Sequence, residues 1–291
     1  MAEYLRSHPN IFFCPIKEPN FFCSDRSANL GLSLNTYLAL FAEAKTDTHK
    51  AIGEGSTSYL FSRVAVPKVL EYNSEAKFIV MLRNPVDLVQ SLHAEQLYWG
   101  FEDVRDFETA WKLEPARRRG HSIPPRCFEP VQLFYSEWGH LGDQMERLLG
   151  IVPRERVKVI LYDDFVKDTK GVYEGVLSFL EVPSDHRSDF PMVNANKAVR
   201  FLLIQQRLSL LSNCYRRIRN RFGLRLGLGF GLIPSLMRLN SKTAPRKPIS
   251  PAFRAELNEF FREDVAKLSR ILGRDLSDWL SPRQIPQVKR G

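Results

Sequence analysis

Cysteine is scarce in this chain. Cys14, Cys23, Cys127 and Cys214 are scattered over 291 residues without the paired spacing of a metal site. They are expected as free thiols in a reducing compartment. No uncharged apolar run reaches the length of a membrane span, no signal peptide is visible and no internal repeat is present. The expected location is the cytoplasm. Acidic residues are also in deficit, with 33 Asp and Glu against 42 Lys and Arg, for a net charge of +9. The excess favours anionic ligands: nucleotides, sulfated or phosphorylated compounds, nucleic acid or an anionic membrane surface. Charge alone does not choose among them. The deficit is sharpest at 201–240, where Arg207, Arg216, Arg217, Arg219, Arg221, Arg225 and Arg238 stand among Leu, Ile and Phe with no acidic residue. That pattern is either a basic helical insertion with its apolar face buried or a segment lying on an anionic membrane or polyanion.

What is present is an ordinary globular composition, 44% hydrophobic and 26% charged, in a chain long enough for one large α/β domain. Its centre is the stretch 77–93. Phe78, Ile79, Val80, Met81 and Leu82 form an unbroken apolar run, the pattern of a parallel strand buried on both faces. Arg83 ends the run, Asn84-Pro85 make a turn, and a helical pattern starts at Val86. In open α/β sheets, ligands bind beyond the carboxyl ends of strands. Arg83 is therefore placed with its guanidinium free, and Ser91 stands eight residues further on. A planar fork of donors and a nearby hydroxyl suit a phosphate.

Arg83-Asn84-Pro85 with Ser91 resembles the 3′-phosphate-binding segment of the sulfotransferases that use 3′-phosphoadenosine 5′-phosphosulfate (PAPS). Further matches follow along the chain. His8-Pro9, an apolar run, then Lys17-Glu18-Pro19-Asn20-Phe21-Phe22 resembles the bacterial and heparan-sulfate-type branch. There the glutamate is the general base, and the match puts that role on Glu18. His8, in a helix stop, and His93, expected on a helix surface, are the rival bases. Ile52-Gly53-Glu54-Gly55-Ser56-Thr57-Ser58-Tyr59-Leu60 resembles the segment lining the acceptor side. Lys17 and Glu54 are the substrate-binding candidates. Gly55 stands where some members have lysine. Ser56 or Thr57 can equally cap the helix that follows. The stretch 157–165, strand then Tyr162-Asp163-Asp164-Phe165, also resembles the family. So does Asn194-Ala195-Asn196-Lys197, where Lys197 and Arg200 become candidates for a loop closing on the 3′-phosphate. Gly273-Arg274-Asp275-Leu276 near the end completes the resemblance.

Elsewhere, 64–72 and 135–149 read as helices. Ser250-Pro251 reads as an N-cap with proline at the first helical position. The stretch 102–130, with Arg117-Arg118-Arg119, reads as a solvated loop.

The resemblance implies a sulfotransferase fold, a P-loop-type parallel sheet flanked by helices, in a single domain over 1–291. It implies sulfuryl transfer from PAPS to a hydroxyl or amine of a small-molecule or glycan acceptor, without metal and without a nucleic-acid partner. Glu18 takes the proton, while Arg83, Ser91, Lys197 and Arg200 hold the donor. A Lys-x-Gly-Thr-Thr-Ser loop, which grips the 5′-phosphosulfate in the family, is expected directly before Ala2 and is not in the sequence. The first strand and its loop are thus expected to be missing. A nucleotide-binding remnant without turnover, or a peripheral membrane or polyanion binder acting through 201–240, stay open as alternatives.

Overall fold

The computed structural model describes residues 1–26, 31–191 and 248–281, with short pieces at 197–199, 204, 207–208, 235–236 and 239–243. In chain order the elements are α1 (Ala2–Arg6), β1 (Ile11–Phe13), α2 (Leu34–Ala39), β2 (Ala51–Gly53), α3 (Ser58–Phe61), α4 (Ala65–Tyr72), β3 (Phe78–Leu82), α5 (Pro85–Trp99), α6 (Phe107–Lys112), α7 (Glu114–Arg118), α8 (Tyr135–Gly139), α9 (Leu141–Leu149), β4 (Val157–Leu161), α10 (Tyr162–Lys167), α11 (Thr169–Phe179), β5 (Lys197–Val199), β6 (Ser241–Thr243), α12 (Pro251–Phe260) and α13 (Arg262–Leu272). They fall into two units. The first is Met1–Arg83, Leu141–Val193 and Lys267–Arg274; the second is Asn84–His140, Asn194–Ala266 and Asp275–Gly291.

The first unit holds parallel strand pairs flanked by helices, the α/β class that the apolar runs imply. β1 pairs with β2, Ile11 opposite Ala51, and β3 pairs with β4, Phe78 opposite Val157. Tyr4, Leu5, Ile11, Ile160, Tyr173, Val176, Leu177 and Val182 make one core, joining α1, β1, β4 and α11. Phe22, Cys23, Tyr37 and Ala65 make a second core on the side of α2 and α4. β3 is not buried on both faces throughout, since Met81 is exposed. β2 has no counterpart in the sequence reading. Three residues are too few to show a period, and its pairing partner lies forty residues upstream.

The second unit corrects the reading of 102–130 as a solvated loop. That stretch contains α6 and α7, and Glu102, Phe107, Ala110, Glu114 and Arg117 are buried. Arg117 and Glu102 form a two-pronged ion pair at 2.7 and 2.8 Å with no exposure of either side chain. A run of charged residues does not by itself signal solvent, because a charge paired within the chain can be buried. The helix expected over 135–149 is broken at His140. Gly139 closes α8 against the Phe261 ring, where a Cβ would fall 2.3 Å from a ring carbon. Ser250 caps α12 by accepting from the Phe253 N–H at 3.1 Å, with Pro251 at the first position, as the sequence indicates. Cys14, Cys23 and Cys127 are free and buried. Among the described residues no helix is long and apolar enough to cross a membrane.

Candidate functional site

Arg83 follows β3 because the apolar run stops there and Asn84 starts a helix. The Asn84 side chain accepts from the Val86 and Asp87 N–H groups at 2.9 and 3.3 Å, and Pro85 occupies the first helical position. The helix therefore begins one residue before Val86. Arg83 is half-buried, and its guanidinium lies over the Tyr162 ring, 5.1 Å from the centroid. Its Nε is buried without a hydrogen-bond partner among the described residues. A buried donor left unpaired costs about 1–3 kcal/mol. Arg83 thus differs from Arg117 and Arg274, whose charges are spent on Glu102 and Asp164.

Tyr162 opens α10, and Arg274 fixes that helix through Asp164, with Nη2 donating at 2.8 Å. That pair also holds the Asp164 carboxyl below the usual carboxylate range. Tyr162 is the part of this arrangement that sequence reasoning missed. In the sequence it is marked only as the residue that follows the strand of the stretch 157–165.

The acceptor-side candidates are brought together by the pairing of β1 with β2. The Cys14 N–H donates to the Gly53 carbonyl at 2.8 Å, so the two chains leave the pair side by side. Lys17 is mostly exposed, and its Nζ lies 3.9 Å from a Glu18 carboxylate oxygen. Glu18 accepts a hydrogen bond from the Thr57 hydroxyl at 3.3 Å. Glu54 accepts from Ser56 at 2.6 Å, from Tyr37 at 3.4 Å and, in a short contact, from Tyr59. Burial raises the Glu54 carboxyl above its ordinary range, and the three hydroxyls offset this only in part. Both phenols are pushed up by burial and by the carboxylate beside them. Neither Ser56 nor Thr57 caps α3: their hydroxyls serve Glu54 and Glu18. A hydroxyl pair before a helix is read as a cap from sequence. Only the register of β1 and β2 shows the carboxylates waiting opposite.

The rival bases are both occupied. His8 is buried, accepts from the Asn10 N–H at 3.0 Å and holds the Pro183 carbonyl with its other nitrogen. His93 is buried rather than on a helix surface, a correction to the sequence reading. Its ring meets the Val104 carbonyl at 2.8 Å, and burial lowers its pKa. Ser91 lies in α5, half-buried and with contacts of its own. Lys197 starts β5, paired with Thr243 of β6 in antiparallel register, where the sequence suggested a loop. The partner strand lies too far along the chain for a local pattern to show it. Arg200 and nearly all of 201–240 lie outside the described residues.

Comparison with known proteins bears on the family and the fold. No curated protein matches the chain. A crystal structure of a sulfotransferase from Alicyclobacillus acidocaldarius superposes with a TM-score of 0.66 at 25% identity, covering 96% of this chain and 92% of its own. The sulfotransferase domain from the curacin biosynthetic pathway overlaps 53% of this chain and 48% of its own at 17% identity, with a TM-score of 0.33, too slight to argue from. The family described as the sulfotransferase domain matches residues 18–207, more than half of the sequence. The chain belongs to the sulfotransferase family, the enzymes of sulfuryl transfer.

Proposed function

We propose that the chain transfers a sulfuryl group from PAPS to a hydroxyl or amine of an acceptor, a carbohydrate among the candidates. In this reading Arg83 holds the donor's 3′-phosphate and Glu18 takes the acceptor's proton. The observation that carries it is the state of Arg83: a guanidinium at the carboxyl end of β3, seated on an aromatic face, with a buried N–H that no described residue accepts. A phosphate oxygen supplies the missing acceptor and the opposite charge. Such charge-assisted bonds contribute about twice as much as neutral ones. The net charge of +9 favours an anionic donor in the same sense.

Glu18 suits the base because its oxygens are within reach of solvent, while Thr57 and Lys17 orient the carboxylate. Proton removal makes the acceptor oxygen or nitrogen the nucleophile, and the proton passes to Glu18. Transfer of the sulfuryl group spreads negative charge as phosphoryl transfer does, so fixed cations carry much of the stabilisation.

Titration calorimetry with adenosine 3′,5′-bisphosphate and adenosine 5′-phosphate tests this reading. Arg83→Ala should lose about 2–3 kcal/mol for the bisphosphate and little for the monophosphate. Equal losses for both ligands refute the assignment.

A further inference from the structure

We propose that Ser56 is a positioning residue for Glu18: oriented by Glu54 and acting through Asn20, it holds the loop after β1 in the shape that presents the Glu18 carboxylate. The proposal rests on the reading of Glu18 as the base.

The loop needs an outside hold. Glu18 and Asn20 both have left-handed backbones, with φ of 57° and 50°, and neither is glycine. Asn adopts this region readily, whereas Glu seldom does, so the strain sits at Glu18. Pro19 between them has a fixed φ, so the segment shifts as a unit rather than residue by residue.

The hold is a chain of directed hydrogen bonds. The Asn20 side chain donates to the Glu18 carbonyl at 3.0 Å, and the Asn20 N–H donates to the Ser56 hydroxyl at 3.0 Å. Ser56 donates in turn to Glu54 at 2.6 Å. A hydroxyl has a single proton to give. Because Glu54 takes it, a lone pair of Ser56 is left facing the Asn20 N–H. Glu54 thereby fixes the direction of the whole chain. The next residue, Thr57, reaches the Glu18 carboxylate itself at 3.3 Å. One short segment therefore holds the base at its backbone and at its side chain.

Glu54 is built for this task rather than for contact with an anion. Its partners are three hydroxyls, and among the described residues no Lys or Arg pairs with it. Tyr37, one of those partners, is itself locked by Phe21, stacked at 4.2 Å with an interplanar angle of 10°. Phe21 lies three residues beyond Glu18, so the aromatic wall and the hydroxyl chain brace the same loop.

The test compares Ser56→Ala, Ser56→Thr, Glu18→Gln and the double variant Ser56→Ala/Glu18→Gln in the full chain. Turnover and trypsin cleavage after Lys17 are measured, with Tm as the folding control. Ser56→Ala should lower kcat about tenfold to a hundredfold, the scale of a small misplacement of a catalytic group. It should leave affinity for adenosine 3′,5′-bisphosphate within about twofold and speed cleavage after Lys17 several-fold. Ser56→Thr, which keeps the hydroxyl, should restore both. In the Glu18→Gln background Ser56→Ala should have no further effect on kcat, because the residue it positions is gone. Unchanged cleavage, unchanged kcat, or a full additional loss in the double variant overturns the proposal. Retained turnover in Glu18→Gln alone removes the base reading instead. Cleavage needs no acceptor, so it decides the hold on the loop separately. If Ser56→Ala fails to fold, Asn20→Gly keeps the backbone shape accessible, removes the side-chain bond and carries the same comparison.

Discussion

Replacing Arg117 by methionine separates the two descriptions of 102–130. A solvated loop tolerates the change, and surface substitutions of that kind stay within about 0.5 kcal/mol. The structure demands a large loss. Arg117 donates to Glu102 through both terminal nitrogens, at 2.7 and 2.8 Å, and through Nε to the Ser122 carbonyl at 3.2 Å. Glu102 also accepts from Tyr135 at 2.7 Å and from the Asp103 and Val104 N–H groups at 3.0 Å each. Methionine preserves much of the apolar stem and strands the carboxylate without its cation. Breaking one side of a buried pair costs about 3–5 kcal/mol. At about 2–4 °C per kcal/mol, Tm should fall by about 6–20 °C. The loss should also depend on pH. Burial pushes the Glu102 carboxyl up, but bonds from Arg117, Tyr135 and Val104 hold it below its ordinary 4.5 in the native chain. Without Arg117, burial dominates and the folded value rises above the unfolded one. The variant then keeps its stability below about pH 4.5 and loses it as pH rises through the raised value. Urea denaturation at pH 5 and pH 8 reads both effects. A loss under about 1 kcal/mol at pH 8, or a larger deficit at the lower pH, refutes the reasoning.

Two further outcomes are expected. Glu54 is held protonated to higher pH in the folded chain, so its contribution to stability is complete below its ordinary 4.5 and is lost as pH rises through the raised value. The Tm of Glu54→Gln minus that of the parent should therefore increase between pH 4 and pH 8, and a constant difference counts against the burial argument. Tyr162→Leu removes the aromatic face under Arg83 while keeping an apolar body, so affinity for adenosine 3′,5′-bisphosphate should fall by about 0.5–2 kcal/mol. The same calorimetry checks it, and an unchanged affinity means that the stacking does not prepare Arg83 for phosphate.

The parts of the fold that were legible in the sequence are those written within a few neighbouring residues. The apolar run of β3, its end at Arg83 and the start of α5 at Asn84-Pro85 need only local rules: a buried strand, a side-chain cap and a proline in the first turn. The same holds for Ser250-Pro251 at α12. What was not legible depends on which distant segment lies opposite. The Glu18 loop meets Ser56 and Thr57 only because β1 and β2 pair in parallel, Phe13 opposite Gly53, and a three-residue strand carries no period of its own.

Charge shows the same limit from the other side. Arg83 and Arg117 count equally in a net charge. Yet Arg117 is neutralised by a carboxylate fifteen residues away and is buried, while Arg83 rests on Tyr162 with a buried donor unused. A run of charges reads as solvated because composition weighs each residue alone. Desolvation is decided by the pair, since one partner's field offsets the other's loss of water. Among the described residues Arg83 has no such carboxylate partner, and this distinguishes it from the structural ion pair at Arg117.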